Sequence, residues 1–339
     1  MKAAFYIEKG KFEIGEGQII KPTKGQVRLE VAYCGVCGTD VHIFHGVMDH
    51  RVKTPQTVGH EASAVVSELG EGVSNVQIGD RVAVRPLDFG APHPFDKGHT
   101  HVGKNLKFIG IDSPGAFQNS WTVPAHTLHK LPDNLSLQHG AFIEPLSVAC
   151  HDVKIGRVVE DENCLVIGGG PIGTLIGYVL REKKANVIIS EVNETRLDML
   201  NDLGFTTINP VNEDLVGRIN ELTNEKMIDC TFEVSGSAPG VQAMTQVVNA
   251  RGRIVMVAIH GGDPKPVDLF KFFWSEIELL GARLYEEEDY EEAIAIAASG
   301  NVPFEKLITK IDKLDNIQSI FETIDNNPAG MKYLIDCQS

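Results

Sequence analysis

Cysteine is sparse in this 339-residue sequence, and its six copies fall at none of the spacings of a disulfide framework. Cys34 and Cys37 form a C-x-x-C, but no second one follows, which excludes a zinc ribbon. A thioredoxin-like pair belongs at the start of a βαβ pattern, whereas this one follows the alternating stretch Val27, Leu29, Val31. No charged-then-apolar leader with a small-residue cleavage site opens the chain, so a reduced, cytoplasmic protein is expected. Positive charge is short as well: 31 Lys and Arg against 46 Asp and Glu leave a net charge of −15. That argues against nucleic acid or an anionic membrane as a partner. Long apolar runs are missing too. The most hydrophobic stretch, residues 164–180, carries five glycines and a proline and reads as strand, turn and helix, not as a membrane span. Repeats and low-complexity tracts are absent, and the length suits two domains.

What is there concentrates in two places. The first is residues 35–61, where GVCGTDVHIFHG and TVGHE gather Cys37, Asp40, His42, His45, His60 and Glu61 among glycines and small apolar residues. Thiolate, imidazole and carboxylate are the donors zinc accepts, and a catalytic site uses three of them with a fourth position open. Taken singly, Thr39 reads as a turn residue capping its own backbone, and His42 and His45 as polar surface side chains. The second is residues 163–173. There the buried-strand run NCLVI leads into Gly168, Gly169, Gly170, Pro171, Ile172 and Gly173, and a helical run follows. Glu191 closes the next apolar strand, at 187–189, at the separation of a dinucleotide fingerprint. The first glycine permits a tight turn, the second lets backbone approach a pyrophosphate, and the third lets helix pack on strand. Glu191 would accept hydrogen bonds from the adenosine-ribose hydroxyls and repel a 2′-phosphate, so NAD is expected over NADP.

Taken in order, GVCGTDVH, GHE, GDRVAV at residues 79–84 and this fingerprint resemble the zinc-dependent medium-chain dehydrogenases over most of the chain. The resemblance implies an α/β protein: a GroES-like, partly open β-barrel catalytic domain at 1–145 and 282–339, and a Rossmann doubly wound domain at 146–281. Cys37, His60 and Glu61 would bind the catalytic zinc, with Asp40 fixing the ring of His60, and Cys34 a bystander. Thr39 and His42 would relay the proton that the bound alcohol loses. Glu144, in FIEPLSVACH, matches the sorbitol-like branch and would lie beside the zinc, as a ligand or through a water. Arg196 would flank the adenine pocket, as in NAD-using members, and Arg283 would sit at the nicotinamide edge within reach of substrate. Relatives are homodimers or homotetramers.

One departure concerns the lobe after GDRV, where the family often carries four cysteines on a structural zinc. Residues 86–107 contain none. Their three histidines, His93, His99 and His101, fit no standard site spacing, so a polar loop and one zinc per chain are expected. Elsewhere βα repetition argues for a parallel sheet with buried strands at 228–234 and 253–258. The aromatic run Phe270, Phe272, Phe273, Trp274 reads as core or subunit interface. The expected activity is hydride transfer from a secondary alcohol of a polyol or sugar-derived substrate to NAD. A diol or amino-alcohol dehydrogenase is the alternative, and a non-catalytic NAD-binding protein the alternative of another class.

Overall fold

In the stretch QVRLEVAYCG, Val27, Leu29 and Val31 are buried while Arg28 and Glu30 face outward, the period-two pattern of a half-buried strand. It forms the strand Gln26–Gly35, the axis of one of two units into which the computed structural model divides. The structure describes residues 1–327 and 329–339. The first unit comprises Met1–Pro145 and Glu286–Ser339, and the second Leu146–Tyr285.

In the first unit, Gln26–Gly35 pairs antiparallel with Glu61–Leu69 along nearly its whole length. Its first half also pairs with Ser120–Pro124, and its last residues with the closing strand Lys332–Asp336. The sheet continues through Arg81–Val84 to Leu128–Lys130 on one side and to Ile308–Lys313 on the other, so two edges remain open. This is the partly open barrel expected. Its strand-rich stretch is interrupted by a helix, Gly38–Phe44. Cys37 is the helix N-cap: its sulfur accepts the Thr39 N–H, and Asp40 reaches back to the Cys37 N–H. A loop of glycines and polar residues thus becomes a helix because a capping box satisfies its first orphan donors.

The second unit is a six-stranded parallel sheet. Its order is Thr206–Ile208, Asn186–Ser190, Asn163–Ile167, Ile228–Glu233, Val248–Met256, Glu278–Gly281. Read in chain order this is 3-2-1-4-5-6, the doubly wound arrangement, with its reversal between Asn163–Ile167 and Ile228–Glu233. Leu165, Ile167, Ile188, Ile208, Ile219, Met244 and Ile254 form one buried cluster between sheet and helices. Each such side chain contributes about 1.5–3 kcal/mol of burial.

Candidate active site

Strand register assembles the first group of side chains. Gly35 ends one strand opposite Glu61, which begins the next, so Cys37, two residues beyond Gly35, lands beside His60 and Glu61. The ligand atoms of these three residues lie within 4.8 Å of one another. His60 and Glu61 are buried and Cys37 is half-buried. Gly35 has to be glycine here, since a Cβ would stand 2.1 Å from Glu61 Oε2.

Asp40 is fully buried and gives one oxygen to the Cys37 N–H at 2.9 Å. The other lies 3.5 Å from His60 Nδ1, and neither of these two atoms has a closer partner. A small turn of the ring closes that pair and leaves the second imidazole nitrogen to the thiol and carboxylate. Burial alone would lower the His60 pKa; the charge of Asp40, with help from Cys37, outweighs it and holds the imidazole well above its usual range. The donor chemistry of the set, sulfur, nitrogen and oxygen on a carboxylate-oriented histidine, fits zinc.

Sequence reasoning missed Lys332. The first residue of the closing strand is buried, and its ammonium donates to both Glu61 oxygens at 2.8 Å and to the Val36 carbonyl at 3.4 Å. Burial lowers its pKa, but Glu61 more than restores it, so the lysine stays charged. The available signal was a lysine directly ahead of the apolar run Tyr333, Leu334, Ile335 in the strand KYLID. Glu61 keeps a further lone pair on each oxygen, so this pairing does not prevent it from holding a cation.

Thr39 and His42 lie one turn apart on Gly38–Phe44, the first half-buried and the second exposed. Glu144, near the start of the helix Ile143–Ile155, is buried within electrostatic range of Lys332 and Tyr290. It does not join the three-residue set above. His45 pairs with Asp325 at 3.0 Å. The 86–107 stretch is more ordered than a polar loop implies. It contains two short 3₁₀ turns, and buried Asp96 accepts the His93 and Lys104 N–H groups.

In the second unit, Gly168 follows the strand Asn163–Ile167 at φ +106°, a left-handed conformation that glycine adopts freely. A Cβ on Gly173 would meet the Gly168 carbonyl at 1.9 Å, whereas one on Gly170 would meet nothing closer than Arg196 at 3.7 Å. Helix packing thus fills one glycine, and the other faces space. The helix Pro171–Glu182 starts at Gly170 with no side-chain cap and with Pro171 and Ile172 in its first turn. Its first N–H groups therefore point to that space, which suits a pyrophosphate. Glu191 is buried and accepts the Gly169, Val192 and Asn193 N–H groups at 2.9, 2.7 and 2.9 Å, with Arg196 at 3.7 Å. Across the sheet reversal, buried Glu233 accepts the Ser235 hydroxyl and the Ser235 and Gly236 N–H groups. His260 lies 3.0 Å from its other oxygen. Neither Glu233 nor His260 stood out in the sequence. Arg283 is exposed, just past the last strand of this unit.

Comparison with known proteins agrees with both halves. Residues 23–133 match the alcohol dehydrogenase GroES-like domain, and residues 171–299 match the zinc-binding dehydrogenase domain. The chain is 50% identical over 340 residues to the 2-dehydro-3-deoxy-L-galactonate 5-dehydrogenase of Pseudoalteromonas atlantica, which covers 100% of this chain and 99% of that protein. It is 31% identical over 355 residues to the (R,R)-butanediol dehydrogenase of Neisseria gonorrhoeae, covering 99% of each. The crystal structure of a zinc-binding dehydrogenase from Sinorhizobium meliloti 1021 bound to NADP superimposes with a TM-score of 0.91 at 26% identity, covering 99% of this chain and 98% of that one. With both domains matched and that identity sustained end to end, the chain belongs to the zinc-type medium-chain dehydrogenases, in their polyol-dehydrogenase-like branch, and is a nicotinamide-dependent alcohol dehydrogenase.

Proposed function

We propose that the protein oxidises a secondary hydroxyl of a polyol or sugar-derived substrate with NAD, using one catalytic zinc held by Cys37, His60 and Glu61. The observation that carries this reading is the buried three-donor set, backed by Asp40 on one side and Lys332 on the other. Zinc supplies Lewis-acid polarisation of the substrate hydroxyl, and the nicotinamide takes the hydride. Asp40 orients His60, and Lys332 holds Glu61 without neutralising its remaining lone pairs. Thr39 receives the proton lost by the substrate hydroxyl, and His42, exposed one turn further on, releases it to solvent. Glu144 stands beside this set as a further carboxylate that can take or return a proton.

Glu191 selects NAD. Three backbone donors, Gly169 among them, hold its carboxylate beside the glycine turn, which supports a charge there that would repel a 2′-phosphate. Gly168, Gly170, Pro171, Ile172 and Gly173 receive the pyrophosphate, with Arg196 at the adenosine end and Arg283 toward the substrate. The identity to a sugar-acid dehydrogenase narrows the substrate to a polyhydroxylated acid or its alcohol relatives. A small vicinal diol is the second reading, favoured by the similarity to a butanediol dehydrogenase.

Association into a homodimer or homotetramer is part of the proposal. Phe272 of the aromatic run packs against the core of the second unit, while Phe270, Phe273 and Trp274 on the same helix, Leu269–Ser275, are each more than 60% exposed. They lie close in sequence to Glu278–Gly281, the edge strand of the parallel sheet. A second copy would cover both. No helix among the described residues is long and apolar enough to cross a membrane. None of the six cysteines is in a disulfide, which favours the cytoplasm.

The deciding experiment assays NADH and NADPH formation against polyols, vicinal diols and 3-deoxy sugar acids, with and without chelator. Chelator-sensitive NADH formation on a polyhydroxylated substrate is the expected result. Turnover indifferent to chelator, or lost equally in none of Cys37→Ser, His60→Ala and Glu61→Ala, would sink the reading.

A further inference from the structure

His99 and His101 lie on one 3₁₀ turn of the 86–107 lobe, and Glu286 lies 187 residues from His99 in sequence. The fold brings all three together: their ligand atoms lie within 4.8 Å of one another. Glu286 Oε1 faces both rings, 3.2 Å from His99 Nδ1 and 3.8 Å from His101 Nδ1. The second distance is too long for a hydrogen bond, and the two imidazoles stand perpendicular with centroids 6.1 Å apart. Two imidazoles therefore converge on one carboxylate oxygen without closing into a hydrogen-bonded triad. We propose that His99, His101 and Glu286 form a second zinc site in each chain, separate from the catalytic set.

Each donor is held from behind. The turn carrying the histidines is tied down by Asp96, which accepts the N–H groups of His93 and Lys104. Glu286 is the N-cap of the helix Glu287–Ser299 in a capping box with Asp289, so its backbone is fixed at the helix start. His101 is buried, Glu286 half-buried and His99 exposed, which leaves one side from which an ion and a water can enter. His101 and Glu286 also line a cavity of about 180 Å³ with Arg85, Glu287 and Glu288. Arg85, the cation among the described residues lining it, is turned to Glu287 at 3.3 Å, and the acidic run leaves the local field favourable to a divalent ion. Two neutral imidazoles and a carboxylate, completed by water, are a donor set zinc accepts. Spacing could not reveal it, because only the two histidines are local. Its consequence is structural: the ion pins the lobe to the helix that follows it in space.

The test is zinc content of the full chain by elemental analysis, after metal stripping, reloading with Zn²⁺ and removal of loosely bound ion. Wild type, Cys37→Ser, His99→Ala and Glu286→Gln are compared, with thermal melting as a second readout. We expect about two zinc ions per wild-type chain and about one in each variant. We also expect none in the Cys37→Ser/His99→Ala double variant, and lower melting temperatures on loss of the His99 site. His99 is exposed, so its truncation does not threaten folding. One zinc in the wild type that disappears in Cys37→Ser overturns the proposal. So does a content of two that neither His99→Ala nor Glu286→Gln lowers. One zinc that survives Cys37→Ser but not His99→Ala supports this site and removes the catalytic one, so failures of the two readings are distinguishable.

Discussion

Lys332 carries the largest single-residue consequence. Its ammonium and the Glu61 carboxylate are both buried, and each is the other's main compensation. Lys332→Met leaves a carboxylate in a dry site with no cation, which costs about 3–5 kcal/mol when one partner of a buried pair is removed. Zinc retention falls about 10–100-fold through loss of orientation. Chemical denaturation and zinc competition measure the two effects, and a variant as stable and zinc-loaded as the parent would contradict the role. Glu191 makes a prediction at the same scale. Glu191→Ala removes charged hydrogen bonds to the ribose worth about 1.5–3 kcal/mol, so kcat/KM for NAD falls roughly tenfold to a hundredfold. NADP use rises relative to NAD; an unmoved NAD/NADP ratio would exclude Glu191 as the selector. Legibility divides these two residues. Glu191 was readable because strand, glycine turn and next strand follow in sequence at fixed separations. Lys332 was not, because antiparallel register brings it to Glu61 across 271 residues.

Among the elements, the turn into the helix Pro171–Glu182 and the packing under the helix Glu287–Ser299 are the most constrained. In the first, a methyl group on Gly173 has nowhere to go but into the Gly168 carbonyl. Gly173→Ala must open the strand–helix contact, at about 1–3 kcal/mol of overpacking, and with it the cofactor cradle. Fluorescence titration with NADH should show weaker binding, while Gly170→Ala, whose Cβ meets only open space and Arg196, should perturb stability far less. In the second, Arg85 Nε donates to His129 Nε2 at 3.2 Å, so the ring proton sits on Nδ1 and is donated to Glu291. Burial lowers the His129 pKa, Glu291 raises it and Arg85 lowers it, with a net fall below the usual value. The unfolded chain, with an imidazole near the ordinary pKa of about 6.5, then binds more protons in acid than the folded one. Stability from this group is complete above that pH and is lost as pH falls through and below it. Melting temperature should drop between neutral pH and pH ~5, and His129→Gln should flatten that slope. The helix at Gly38–Phe44 shows what element-level reading overlooked: glycines and polar residues looked like loop until Cys37 and Asp40 were recognised as its two capping partners.

At the scale of the molecule, two architectures were visible in the sequence because each carries its own period, alternation for the barrel and strand-then-helix repetition for the sheet. The aromatic run on Leu269–Ser275 was ambiguous for a physical reason: a hydrophobic face reads alike whether it meets its own chain or another. Phe272 packs against the core of the second unit, whereas Phe273 and Trp274 are 77% and 71% exposed, which supports the proposed contact for those two. Trp274→Glu, or Phe273→Asp, places a charge in the proposed contact and should yield a monomer by light scattering, with the NAD site intact. An unchanged oligomer would place the subunit contact elsewhere.

The closing strand Lys332–Asp336 also sets an order of events during biosynthesis. Cys37, His60 and Glu61 are made before the parallel-sheet unit, yet the lysine that balances Glu61 follows it by 271 residues, after that entire unit has been made. A nascent chain can complete that inserted unit while the barrel still lacks two strands, Ile308–Lys313 and Lys332–Asp336. Metal acquired before that strand is made meets thiol, imidazole and carboxylate without their counter-charge, so the mature site forms only once Lys332 has been synthesised.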